Sequence, residues 1–377
     1  MNVAVVGGGP AGSLLAFKLA RDGASPTIFD ASHPREKPCG GGLTAKALAL
    51  LPAAPAADPL PARWVDACRF ESGAGEAVDV SLPQPVAIAS RRELDAWLLR
   101  RATEAGARHV AERVVEVGAD RRLRTAAGRV EGFDLVVGAD GASSLVRRTF
   151  LGPTPPSRLM VAAGWFARGT SPMLVRFVPG VSGYLWLFPR RDHVGVGICA
   201  PLTWTPTRQM LSRLESEAAR DFPALLELDS GRYAHTIPSP SADPRCLLEI
   251  AGDGWALAGD AAALADPITG EGIYYALRSS ELLAETLRAD GSPARYPERV
   301  LADFGADLLK AAALRDRFYS PGFSGRMVRF GASSPAIREI LADLVLGRQG
   351  YVGLKRRLLR TAPRFVWEAA ASRLFAA

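Results

Sequence analysis

The chain has 377 residues, 48% hydrophobic and 23% charged, with 46 Lys and Arg against 39 Asp and Glu for a formal net charge of +7. That length accommodates two domains around a sizeable core, the composition excludes a disordered polymer, and no apolar run is long enough to span a bilayer. The surplus positive charge lies mostly on Arg in a chain rich in Ala and Pro, a compositional bias that gives no pointer to nucleic acid.

The first predicted elements are a buried strand, Val3 to Val6, the turn Gly7-Gly8-Gly9-Pro10-Ala11-Gly12, a helix to about Arg21 and a second strand, "PTIFDA", ending at Asp30. A strand entering a glycine turn is not a secretory leader, and the expected setting is cytoplasmic. Gly7 permits the sharp turn, Gly9 lets backbone approach a pyrophosphate, and Gly12 lets helix and strand pack closely. The helix N-terminus then presents unpaired N–H groups to the phosphates, and Asp30 stands where a carboxylate accepts both hydroxyls of a ribose.

"EKPCGGGLT", residues 36 to 44, sets Cys39 against Gly40, Gly41 and Gly42. The other cysteines, Cys68, Cys199 and Cys246, are scattered with no CxxC pair, so neither a metal site nor a disulfide framework is expected. A thiol flanked by glycines and near Lys37 reads three ways: proton donor, redox-sensitive gate, or small buried side chain. The glycines predict a flexible wall that permits close approach and movement.

Residues 63 to 90 have strand texture, and "SRRELDAWLL" predicts a helix carrying Arg91, Arg92 and Asp95. Leu135 to Val137 is a buried strand running into Gly138-Ala139-Asp140-Gly141. Between 155 and 246, short aromatic and β-branched runs such as "GYLWLFP" predict an antiparallel sheet with a ligand cavity against the nucleotide-binding unit. "GWALAGDAAALADPITGEGI" then carries a strand ending at Gly259-Asp260, a loop, and a helix starting at Gly270-Glu271-Gly272. From about 292 the chain reads as helices; Lys355, Arg356, Arg357, Arg360 and Arg364 gather near the start of its last part, beside Leu354, Leu358, Phe365, Val366, Ala369 and Leu374, with Pro363 as a break. That part reads either as a helix lying on an anionic membrane or as one packed on the protein with a basic face in water.

The glycine turn, the Asp140-Gly141 segment and the Gly259-Asp260 segment, in that order, resemble the motif set of FAD-dependent oxidoreductases with the p-hydroxybenzoate hydroxylase type of fold. The resemblance implies an α/β architecture: a Rossmann-like FAD-binding domain (1–62, 91–154 and 247–291), an inserted antiparallel β-sheet substrate domain (63–90 and 155–246) and a C-terminal helical region (292–377). It implies that Asp260 bonds the ribityl chain, that the backbone of Gly270, Gly272 and Ile273 approaches the isoalloxazine, and that Arg91, or the adjacent Arg92, serves the cofactor. A helix N-terminus beside the anionic edge of a reduced flavin is worth ~0.3–1 kcal/mol.

"KPCGGGL", "GYLWLFP" and "TGEGI" together resemble the geranylgeranyl reductase family. That likeness places Cys39 to Gly42 beside the flavin and has Tyr184, Trp186 and Phe188-Pro189 line the pocket, with Cys39, Gly40, Gly41, Tyr184 and Trp186 at the reacting centre. Flavin-dependent halogenases carry a W-x-W-x-I-P strand there, and Tyr184 and Phe188 depart from it. The implied activity is reduction of isoprenoid double bonds by reduced FAD, with an apolar lipid as substrate. The electron donor is external, NADPH or a ferredoxin, since no second GxGxxG unit is visible. Alternatives are an FAD monooxygenase using His193 or His235, and a flavin-binding redox sensor built on Cys39. Peripheral contact at the inner face of the membrane, through the basic tail, goes with the lipid reading.

Overall fold

The computed structural model describes residues 1–361 except 55, 74, 228–230 and 321. The expectations for Pro363, Arg364, Phe365, Val366, Ala369 and Leu374 lie outside the described residues.

Five strands of a six-stranded sheet run parallel, in the order Trp255–Leu257, Leu135–Gly138, Asn2–Val6, Ser25–Phe29, Arg108–Val110, with the short Ala251–Gly252 added antiparallel at one edge. Val3 to Val6 are all buried in a core that takes residues from the helices Pro10–Arg21 and Ile273–Asp290 and from a three-stranded antiparallel sheet, Val114–Val117, Arg122–Thr125 and Val130–Gly132, so the strand reads as a continuous apolar run with no alternation. The helix Pro10–Arg21 follows the first strand and packs on the helix Ile273–Asp290, where Ser280 Oγ donates to the Ala11 carbonyl at 2.8 Å. A Cβ on Gly12 would stand 1.9 Å from the Gly7 carbonyl oxygen, so helix and strand meet at a distance only glycine allows.

A second sheet of eight strands runs Tyr233–Pro238, Leu159–Ala167, Val194–Pro201, Tyr184–Pro189, Leu174–Phe177, Ala62–Ser72, Ala77–Ala89, Gly42–Leu43. It is not wholly antiparallel as expected: Leu174–Phe177 pairs parallel to Arg69–Ser72. Those two strands are separated in sequence by a long excursion through the first sheet, and an excursion of that kind allows the chain to re-enter in the same direction. Gly42–Leu43 pairs with Ile88 and Ala87, so the loop holding Cys39 runs straight into the edge of this sheet.

One face of the second sheet packs on the helix Thr207–Asp221 through Trp165, Met210 and Leu214. Its other face turns toward the first sheet and, at the Ala62–Ala89 end, toward the helices Phe323–Ser333 and Pro335–Val345 through Phe70, Val78, Val328 and Leu341. The helix Ala306–Phe318 precedes these, and residues 351–361 are helical again. Among the described residues no helix is long and apolar enough to cross a membrane.

Candidate active site

The glycine turn sits at the C-terminal end of the central parallel strand, where an open sheet receives a ligand. Gly7 has φ +102°, and a Cβ there would meet the Ala139 carbonyl at 2.4 Å, so the first two motifs are built against each other. Gly9, Pro10 and Ala11 line the cavity, and a Cβ on Gly9 would find nothing closer than Arg91 Nη2 at 3.8 Å. Asp30 accepts from the Gly8 amide at 2.7 Å and the Ser32 amide at 2.7 Å, with His33 Nε2 3.3 Å away. Burial opposes its charge, but His33, Ser32 and Gly8 together hold the carboxyl well below the usual range. Ser32 and His33 were not foreseen.

Arg91 is 4% exposed and grips Asp95 through two bonds, Nε to Oδ1 at 2.6 Å and Nη2 to Oδ2 at 2.7 Å, one helical turn on. Burial works against its charge and Asp95 more than restores it, so the guanidinium is held protonated. Arg92 is exposed, which leaves Arg91 as the residue facing the cavity. Asp140 accepts from the Leu145 amide at 2.6 Å at the start of a short helix; its Oδ1 is buried without a partner among the described residues, and burial pushes its carboxyl up.

Asp260 lines the cavity and is anchored there through one of its two oxygens. Its Oδ2 accepts from Lys37 Nζ at 2.9 Å. Burial opposes the carboxylate, and Lys37, helped by His235 and Arg91, outweighs it, so its pKa is lowered. Lys37 is therefore committed to Asp260 and not to the Cys39 thiol. The loop that follows is wound around buried Asp266, whose Oδ1 accepts the Ile268 amide at 2.7 Å and the Thr269 amide at 3.0 Å. From outside, the hydroxyls of Tyr184 and Tyr319 donate to the carbonyls of Thr269 and Ile268. With those groups spent, the available donors begin at Gly272 and Ile273, where the first turn of Ile273–Asp290 has no intrahelical partners. Gly259 and Gly270 have φ +60° and +69°, and Gly259 lies against Ala11 and Ala276.

The Cys39 loop is fastened, contrary to the expectation of a flexible wall. Arg190, 1% exposed at the end of Tyr184–Pro189, bonds Glu36 Oε1 at 2.8 Å and the Cys39 carbonyl at 2.6 Å. Glu36 also accepts from the Ser90 hydroxyl and from the Arg91 amide at 3.0 Å. Burial raises its carboxyl, and Arg190 together with the Ser90 hydroxyl and the Arg91 amide more than reverses that, leaving the pKa lowered. The glycines serve contact: a Cβ on Gly40 would stand 2.5 Å from the Phe188 ring, and one on Gly41, at φ +80°, 2.1 Å from the Ala89 carbonyl. The Gly41 amide points at Cys39 Sγ, 3.3 Å away.

Tyr184, Trp186 and Phe188 project from one strand into the same cavity, and Trp186 lies flat against Gly197. The two histidines separate. His193 is spent on Arg190 and Asp192 away from the cavity, whereas His235 lines it with Nε2 buried and without a partner among the described residues. Burial, then Lys37, drive the His235 pKa down to about 4, so the ring is neutral at pH 7. Of the expected site residues, His193, Arg92, Gly12, Gly259 and Pro189 do not line this cavity and the rest do; Glu36 and Tyr319 join the lining, with Arg190 and Asp266 behind it. Arg190 follows "GYLWLFP" directly, and that adjacency was the only signal in the chain that could have found it.

The cavity measures about 1650 Å³, beyond the ~300–1,000 Å³ of ordinary small-molecule pockets and room for a dinucleotide together with a second ligand. The glycine cradle at Gly9, the unpartnered Asp140 Oδ1 and the free first-turn amides at Gly272 and Ile273 fit the phosphates, sugar chain and polar ring edge of FAD.

Comparison with known proteins agrees. Residues 1–221 match the family model described as FAD binding domain. A menaquinone reductase of Mycolicibacterium smegmatis is 32% identical over 320 residues, 77% of each chain, and a geranylgeranyl diphosphate reductase of Rhodobacter capsulatus is 29% identical over 77% of this chain and 76% of its own. Among solved structures, a geranylgeranyl bacteriochlorophyll reductase-like protein from Thermoplasma acidophilum superposes with TM-score 0.74 at 22% identity, covering 95% of this chain and 98% of that one. The flavin-dependent brominase Bmp2 follows at TM-score 0.72 and 19% identity, covering 97% and 100%, a likeness of fold alone. With the FAD-binding model spanning more than half the chain and reductases matching at this identity, the protein belongs to the geranylgeranyl reductase family of FAD-dependent oxidoreductases.

Proposed function

We propose that this enzyme reduces carbon–carbon double bonds of an isoprenoid chain carried by an apolar lipid. The observation that supports it most is the continuity of the cavity. Beyond Gly40, Tyr184 and Trp186 it runs on between the second sheet and the C-terminal helices, past Phe70, Val175, Phe177, Phe318, Met327 and Leu341. Walls of that kind bind an extended hydrocarbon and offer little to a small polar aromatic compound.

Bound FAD, once reduced, supplies the hydride. An isolated alkene has no carbonyl to polarise, so the residues act by holding it in place and excluding water. Trp186 and Phe188 form an aromatic wall, and Gly40 and Gly41 bring backbone close to it without side chains in the way. Lys37 and Asp260 tie the Cys39 loop to the loop that leads into Ile273–Asp290. Cys39 is the thiol placed to deliver a proton to the second alkene carbon. Electrons come from NADPH or a ferredoxin docking outside the cavity, and the lipid is drawn from a membrane that the C-terminal helices touch.

The test is anaerobic incubation of dithionite-reduced holoenzyme with a panel of prenyl lipids, read by mass spectrometry for products gaining two hydrogens per bond. Reduced flavin that persists while every prenyl lipid is returned unchanged sinks the proposal. One observation favours a second reading, an FAD monooxygenase: His235 Nε2, buried in the cavity wall with no partner among the described residues. Rapid mixing of the reduced enzyme with oxygen separates the two, since only a monooxygenase couples oxygen uptake to substrate hydroxylation.

A further inference from the structure

Four arginines are buried among the described residues, Arg91, Arg147, Arg176 and Arg190, at 4%, 7%, 8% and 1% exposure. Three of them meet a carboxylate: Arg91 with Asp95 at 2.6 Å, Arg176 with Glu217 at 2.9 Å and Arg190 with Glu36 at 2.8 Å. Arg147 has no carboxylate partner among the described residues. Its guanidinium makes one long bond, from Nη1 to the Ala261 carbonyl at 3.4 Å, and its Nε is buried without a partner among the described residues. An arginine buried to that degree is ordinarily paired.

A second cation deepens the imbalance. Arg158, half-buried ahead of the strand Leu159–Ala167, donates from Nε to the Ser239 carbonyl at 3.1 Å, and its Nη2 is again buried without a partner among the described residues. The two accepting carbonyls belong to adjoining segments, since the Ala265 amide donates to the Pro238 carbonyl at 3.2 Å. Thr154, whose Oγ1 is also buried and without a partner among the described residues, lies on the segment that joins the two arginines.

Burial pushes Arg147 down to about 10, and the charge of Arg158 adds to that; burial lowers Arg158 as well, yet both guanidiniums stay protonated at pH 7. Cys246 and Glu249 are the acidic groups whose charge reaches them. Glu249 is exposed and forms an ion pair with neither among the described residues. Water can complete the open hydrogen bonds but brings no charge. An anion does both, and the planar fork of a guanidinium suits an oxyanion.

We propose that Arg147 and Arg158 hold one small inorganic oxyanion, of phosphate or sulfate size, in a site separate from the flavin cavity, which neither residue lines. Arg147 belongs to the helix Leu145–Phe150, whose leading amide donates to Asp140, and reaches the turn Gly259–Ala262, which carries Asp260. The anion therefore braces two cofactor-holding turns against each other from behind. The site goes beyond the isoprenoid reading and is independent of which substrate the cavity takes.

The test uses full-length enzyme in excess FAD, as wild type, Arg158→Gln and Arg158→Lys, melted in phosphate titrated against gluconate at constant ionic strength. The expected result is a midpoint that rises with phosphate and saturates in the wild type. The apparent affinity should be at least ~10-fold weaker in Arg158→Gln and partly regained in Arg158→Lys, which keeps the charge. Flavin release, followed by fluorescence, should slow with phosphate in the wild type and lose that dependence in Arg158→Gln. A rise equal in all three proteins overturns the site: if linear it is general salting-out, an adventitious ion only, and if saturable the ion binds elsewhere. A wild-type midpoint indifferent to phosphate overturns it too. Arg147→Gln should abolish the dependence outright, and if that variant fails to fold, the Arg158 pair still decides.

Discussion

Arg190 and Glu36 form a buried ion pair at 2.8 Å that joins the end of the Tyr184–Pro189 strand to the loop carrying Cys39. The pair is what holds the wall of the reaction cavity against the second sheet, and it leaves the loop little freedom of its own.

Arg190→Met removes the cation and leaves Glu36 buried and charged. Breaking one side of a buried pair costs ~3–5 kcal/mol, so the variant unfolds at markedly lower denaturant than wild type. Glu36 has a lowered folded pKa, so its stabilising contribution is complete above the ordinary glutamate range and fades as pH falls toward the lowered value. Urea midpoints measured from neutral pH downward should show that loss in the wild type and a flatter profile in Arg190→Met.

Gly41→Ala and Gly42→Ala make a matched pair. At Gly41 the positive φ costs ~1–3 kcal/mol before the collision with the Ala89 carbonyl is counted. At Gly42 a methyl meets Ile88 at 3.8 Å, an ordinary contact, and the change stays within ~1 kcal/mol. Flavin absorbance per protein after purification should fall for Gly41→Ala and hold for Gly42→Ala. Equal retention by both would show that close approach is not why Gly41 is there.

Cys39→Ala should keep FAD, because the Cys39 carbonyl bonded to Arg190 survives the change. On the proposed role of Cys39 as proton donor, its loss lowers the single-turnover rate of alkene reduction by ~10²-fold or more. A full rate with an unchanged product profile removes the thiol from the chemistry.

Lys37→Met strips Asp260 of the main group that lowers its pKa and leaves burial opposed by only the weaker pulls of His235 and Arg91. The wild-type carboxylate stabilises the folded site at neutral pH and loses that contribution only as pH falls through its lowered value. In the variant the value rises, so FAD release on acidification, followed by flavin fluorescence, should begin at a higher pH. Coincident release curves would place Lys37 outside the cofactor site.

The first sheet was legible because its signals are local. Gly7 to Gly12 and Asp30 belong to one strand–turn–helix–strand unit, and Arg91 and Asp95 meet because four residues make one helical turn. Arg190 and Cys39 are 151 residues apart, and Tyr319 reaches Ile268 across 51; no periodicity announces contacts of that kind. The same limit explains the sheet. Each strand from 155 to 201 showed its β texture, but the parallel pairing of Leu174–Phe177 with Arg69–Ser72 depends on where the chain returns after leaving. Lys37 illustrates a subtler failure: its closeness to Cys39 along the chain suggested a partner, and Asp260 competes for the ammonium with a full negative charge that a thiol lacks.

Tyr319, which grips the carbonyl of Ile268, stands two residues beyond Arg317, which lines the cavity from the Ala306–Phe318 helix. One short segment therefore has a hand on the cavity wall and another on the loop feeding the Ile273–Asp290 helix. The end of the Ala306–Phe318 helix cannot shift without either carrying that loop along or giving up the Tyr319 bond.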